Sequence, residues 1–91
     1  METHPMTNRI LVVDGDDSLR RLLTLRLQSA GYQVTAADSG EAACEVLGDT
    51  APHMVITDLR MPGIDGHELM LKVQERIPDV PVMILTAHGE I

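Results

Sequence analysis

The chain has 91 residues and carries 14 acidic against 7 basic side chains, a formal net charge of −7. That is the length of one domain, and its acidity argues against a direct grip on nucleic acid or on an anionic membrane, both of which need a basic patch. No apolar run approaches the roughly 20 residues of a membrane span, and the opening "METHPMTNR" has no apolar stretch suited to a secretory signal.

Aromatic residues almost vanish: one Tyr and no Phe or Trp. A core must therefore come from Leu, Val, Ile, Met and Ala. Cys44 is the only cysteine, so no internal disulfide can form; it reads as small packing within a helical pattern. A cytoplasmic location is the expectation.

Residues 1–8 are polar, include Pro5 and read as a flexible N-terminal leader. "RILVV", 9–13, is β-branched, ends at Asp14 and predicts a strand. Leu19, Leu22, Leu23 and Leu27 follow at helical spacing, with Asp17 placed as the N-cap and Gly31 as the stop. "QVTAA", 33–37, predicts a second short strand. Ser39 then caps a helix running to about Leu47, with Ala42, Ala43, Val46 and Leu47 on its apolar side. "MVITD", 54–58, predicts a third strand that also ends on an acid. The Pro/Gly loop "LRMPGIDG" leads into a third helix over 67–77, apolar at Leu69, Met70, Val73 and Ile77. "VPVMILT", 80–86, predicts a fourth strand whose near-continuous apolar run suits burial on both faces. The order βαβαβαβ favours an α/β fold with a parallel sheet.

In an open parallel sheet, ligands bind beyond the carboxyl ends of the strands. Asp14 ends the first strand, Asp58 the third and Thr86 the fourth, so one rim collects all three. Carboxylates crowded there repel unless a hard cation joins them, and Mg²⁺ takes oxygen ligands. Taken singly, the residues are ambiguous. An acid at a strand end often caps the next helix, so Asp14 could be a cap or a ligand, and a lone Thr is often an ordinary loop residue. No helix begins directly after Asp58. His4, His53, His67 and His88 are scattered without ligand spacing, which disfavours a zinc site.

The stretches "ILVVDGDDSLRRLL", "VITDLRMPGIDG" and "PVMILTAHG" resemble the receiver domain of bacterial two-component response regulators over residues 9–91. The ending "TAHGEI" is most similar to receivers of nitrogen-regulation-type transcription activators. The resemblance implies a flavodoxin-like (CheY-like) doubly wound sheet. It implies that Asp58 is the phosphoacceptor, modified by a sensor histidine kinase, and that Asp14, Asp58 and the backbone carbonyl of Arg60 hold Mg²⁺. By the same resemblance Thr86 and the N–H of Ala87 bind phosphoryl oxygens, and Pro62 and Gly66 shape the loop around the metal.

Two departures qualify this expectation. Gly15 stands where the family has its second acidic ligand, so Mg²⁺ binding should be weakened; whether Asp16 reaches inward is open. The family continues through a fifth strand carrying a phosphate-contacting lysine and a last helix. Here Lys72, in the third helix, is the only Lys. The expectation is an incomplete receiver, 9–91, of strand order 2-1-3-4, which switches an output domain absent from the chain. The alternative is a degenerate receiver that works as a dimerising module, self-associating through the exposed fourth strand. A small Mg²⁺-dependent phosphohydrolase using Asp58 lacks a further acid/base residue and a substrate pocket, so no enzymatic turnover is expected.

Overall fold

The computed structural model describes residues 8–86. The leader read over 1–8 falls outside these residues except for Asn8, as does Ala87. The elements are β1 (Arg9–Val13), α1 (Asp17–Ser29), β2 (Gln33–Ala37), α2 (Gly40–Thr50), β3 (Met54–Asp58), α3 (Gly66–Arg76) and β4 (Val82–Leu85). The strands form one parallel sheet in the order β2-β1-β3-β4.

Side chains of a strand alternate between faces, and the core divides accordingly. Leu11, Val13 and Val55 pack with Ala43 and Leu47 of α2 and with Leu69 and Val73 of α3. Ile10, Val12 and Ile56 point the other way, toward Leu23 and Leu27 of α1. β1 is therefore covered on both sides, and Leu11, Val12 and Val13 are at most 1% exposed. Each such side chain contributes about 1.5–3 kcal/mol over its exposed state.

The strand limits at 9–13, 33–37 and 54–58 are as the sequence predicts, whereas the helix ends and the last strand differ. α2 runs on to Thr50 and α3 begins at Gly66. Asp17 is not the N-cap of α1. Asp16 takes that place, with extended backbone and a carboxylate that accepts the N–H groups of Ser18 and Leu19; Asp17 is the first helical residue. Gly31 does close α1, its N–H donating to the Gln28 carbonyl and that of Tyr32 to Leu27, a paired closure of helix-end carbonyls.

β4 is shorter than 80–86 and is not buried on both faces. Val82, Ile84 and Leu85 are half-buried and Met83 is 45% exposed. Two causes combine: among the described residues β4 has a neighbour only at β3, and α1 lies over β1 and β2.

Candidate functional site

β1 carries Asp14 to the carboxyl rim of the sheet and leaves it only 2% exposed. The local backbone satisfies it there. Its Oδ1 accepts the Asp16 N–H at 2.8 Å, and its own N–H donates to the Ala37 carbonyl at 3.1 Å. Arg20, one turn into α1, donates from Nη1 to the Asp14 carbonyl at 2.8 Å. Burial pushes the Asp14 carboxyl above its ordinary value of 3.8; the Asp16 N–H opposes this, the charges of Asp58 and Asp16 add to the rise, and Arg20 opposes it. The influence of Asp58 reflects the parallel pairing of β1 with β3, which places the two acids on one rim.

Asp58 is half-buried at the end of β3. Its backbone is fixed from three sides. Thr57, fully buried, donates from Oγ1 to the Asp58 carbonyl at 3.0 Å. Leu59 donates its N–H to the Leu85 carbonyl at 2.9 Å, and Gly66 donates to the Leu59 carbonyl at 2.9 Å. Gly66 packs so closely on the Asp58 carbonyl that a Cβ would clash with this oxygen, so the return of the loop onto α3 requires a glycine. The Leu59–Leu85 bond sets the end of β4 beside Asp58, and exposed Thr86 follows it.

The structure thus brings Asp14, Asp58 and Thr86 to one rim, with Arg60 and Pro62 exposed on the adjoining loop. It does not bring Asp16 inward, because that carboxylate is engaged as the α1 cap. Gly15 is exposed and offers no side-chain oxygen. Among the described residues no group of three or more His, Cys, Asp or Glu side chains could share a metal ion. The rim nevertheless carries two carboxylates, Asp14 and Asp58, with the loop of Arg60 adjoining them, and so offers hard oxygen donors. That set fits Mg²⁺, which is commonly held by one or two carboxylates with water in its remaining positions. Lys72 sits six residues into α3, about 9 Å along the helix axis from the rim end. Among the described residues no helix is long and apolar enough to cross a membrane.

Two contributors were not anticipated from sequence. Arg20 braces the Asp14 carbonyl, and Glu41 of α2 accepts the Ile64 N–H of the β3–α3 loop at 3.3 Å. Only the Asp17–Arg20 spacing, which permits an ion pair within α1, hinted at where Arg20 lies; the reach of Glu41 across 23 residues had no sequence signal.

The family model for the response regulator receiver domain matches residues 10–91. The chain is 48% identical over 82 residues to the transcriptional regulatory protein GlrR of Escherichia coli (strain K12), covering 90% of this chain and 18% of that protein. It is 41% identical over 86 residues to the response regulator protein FleR of Pseudomonas aeruginosa, again spanning 18% of the relative's length. Among solved structures, TrrA of Thermotoga maritima, in complex with Mg²⁺-BeF, superposes with a TM-score of 0.85 at 36% identity over 91% of this chain and 72% of that one. The chemotaxis protein CheY4 of Vibrio cholerae gives a TM-score of 0.86 at 28% identity, over 92% and 72% of the two chains. A match across nearly the whole chain, on a sheet of matching strand order with two acids on its carboxyl rim, makes this chain a member of the response regulator receiver domain family.

Proposed function

We propose that Asp58 is the phosphoacceptor of this receiver, taking its phosphoryl group from a sensor histidine kinase. The observation that carries the proposal is the placement of half-buried Asp58 at the end of β3, on one rim with buried Asp14 and beside Thr86. A carboxylate oxygen of Asp58 attacks the phosphorus of the donor phosphohistidine. The P–N bond breaks, the imidazole leaves with the electron pair and takes up a proton, and an acyl phosphate remains on Asp58. Bound Mg²⁺ would offset the negative charge that builds on the transferring oxygens. Asp58, Asp14 and the Arg60 carbonyl would hold that ion, less tightly than a three-carboxylate rim because Gly15 contributes no side chain. Thr86 donates its hydroxyl to a phosphoryl oxygen. The modified rim then biases an output domain, in keeping with the transcriptional regulators among its relatives. The chain acts as a switch without catalytic turnover, in the cytoplasm.

Acetyl phosphate with Mg²⁺ tests the assignment. One acid-labile phosphoryl group is expected by mass, and Asp58→Asn should abolish it. A mass shift that survives this substitution would move the role to another acid, with Asp14 and Asp65 the nearest competitors.

A second reading, a receiver that works by dimerising, is favoured by one observation: Met83 on β4 and Leu22 on α1 are 45% and 48% exposed. A second copy that pairs with the β4 edge would cover the uncovered part of this sheet face.

A further inference from the structure

The loop from Leu59 to Asp65 carries the Arg60 carbonyl between Asp58 and α3. Its inner side is anchored by Met61, 9% exposed in the core, and by Ile64, which packs against that core. Its outer side is held by α2. Gly63 turns the loop with φ of 78°, in the left-handed region open to glycine. The Glu41 carboxylate lies directly over it: a Cβ on Gly63 would clash with Glu41 Oε2 and lie 3.2 Å from its Cδ. The same oxygen accepts the Ile64 N–H at 3.3 Å. At Gly40 the helix comes so near that a Cβ would stand 2.8 Å from Ile64 Cβ and 2.9 Å from the Ile64 carbonyl oxygen. An acid in the first turn of a helix is favoured by the helix dipole alone. That preference does not account for a carboxylate laid across the backbone of another loop.

We propose that Glu41 is a positioning residue for the phosphoryl-transfer site: its carboxylate clamps the Gly63–Ile64 turn and so holds the loop that presents the Arg60 carbonyl. The inference rests on the reading of Asp58 above. With the clamp in place, a cation meets a loop that is already ordered. Without it, binding must also order the loop, and part of the binding free energy is lost to that ordering.

Amide hydrogen exchange of the metal-free chain reads the clamp directly. In Glu41→Ala the Ile64 N–H should exchange about three- to tenfold faster, the worth of one modest hydrogen bond. Glu41→Gln retains an accepting oxygen and should exchange like the parent. The second arm measures the Mg²⁺ concentration for half-maximal beryllofluoride binding. It should rise by a similar factor in Glu41→Ala, with the saturating extent unchanged, and return in Glu41→Gln. Equal Ile64 exchange in parent and Glu41→Ala overturns the proposal. So does equal half-saturation in a parent that binds beryllofluoride, or a loss confined to the saturating extent. A parent that binds none at any Mg²⁺ concentration overturns the reading of Asp58, and the positioning role with it, whatever the exchange shows.

Discussion

Gly15 sits on an exposed turn where a Cβ would meet only the Asp38 carbonyl oxygen, at 3.8 Å. An acid is therefore sterically admissible there, and the consequence of adding one is electrostatic. Gly15→Asp should bind Mg²⁺ more tightly than the parent, because a third carboxylate joins the donor set. The metal-free variant should be less stable by about 1 kcal/mol, because like charges on one rim repel. Thermal melts of both proteins with and without Mg²⁺ check this, and equal stabilisation by Mg²⁺ would count against it. Asp14 gives a pH dependence. Its folded carboxyl is raised above 3.8, chiefly by burial, so the folded state binds this proton more tightly than the unfolded state. The stability linked to that proton is fully present below the unfolded value and is lost as pH rises through the folded one. Asp14→Asn has no such titration, and its amide oxygen can still accept the Asp16 N–H. In chelator-treated protein its stability relative to the parent should therefore increase from pH 3 to pH 7. Urea melts across that range measure the trend; a difference that shrinks with rising pH would contradict it.

The elements meet the site through their ends. α1 has no fully buried residue, so packing secures it less than it secures α2 or α3, and its cap carries more of its stability. Asp16 Oδ1 accepts the N–H groups of Ser18 at 2.9 Å and Leu19 at 3.1 Å. Asp16→Ala should cost about 1 kcal/mol, the usual worth of an N-cap. Asp17, whose side chain is 87% exposed, pairs only with Arg20; Asp17→Ala should cost less than about 0.5 kcal/mol, as exposed pairs do. Denaturant midpoints of the two variants distinguish them, and a larger loss at Asp17 would reassign the cap. At the opposite end of the sheet, Arg9 donates from Nε to the carbonyls of Thr50 and Ala51, both at 3.0 Å. A cation thereby closes the C-terminus of α2, where the helix dipole favours one.

At the scale of the molecule, the two sheet faces are unequally covered. Among the described residues, α2 and α3 pack on one face, while α1 alone lies on the other, over β1 and β2. The groove on one flank of α1 is lined by Arg21, Thr24 and Leu25 together with Ala36 of β2. Leu22 of α1 and Met83 of β4 are both exposed. A dimer that covers a few hundred Å² of apolar surface here gains several kcal/mol at about 25 cal/mol per Å², and β4, an edge among the described residues, is an apolar strand of the kind that invites pairing. The 91-residue chain should therefore self-associate with rising concentration. Met83→Lys should shift it toward monomer by placing a charge in the contact. Sedimentation velocity over a concentration series reads both, and a parent that stays monomeric throughout would refute the dimer.

The β-branched runs "RILVV" and "MVITD", one stopping at Asp14 and the other on Asp58, determined the limits of β1 and β3, because a strand buried on both faces admits little but β-branched and aliphatic side chains. The parallel order then determined that Asp14, Asp58 and Thr86 share a rim, since every strand of such a sheet ends on the same side. Tertiary structure decided what local pattern leaves degenerate. Asp16 and Asp17 are the same residue type in adjacent positions, and only the path of the chain leaving β1 selects which carboxylate reaches the free N–H groups of α1. Met83 belongs to an apolar run that reads as core, yet burial depends on what lies over it, and α1 covers β1 and β2 instead. Arg20 and Glu41 act on backbone atoms 6 and 23 residues away. Hydrogen bonds of this kind depend on where the fold brings a carbonyl or an N–H, and no spacing in the sequence encodes that.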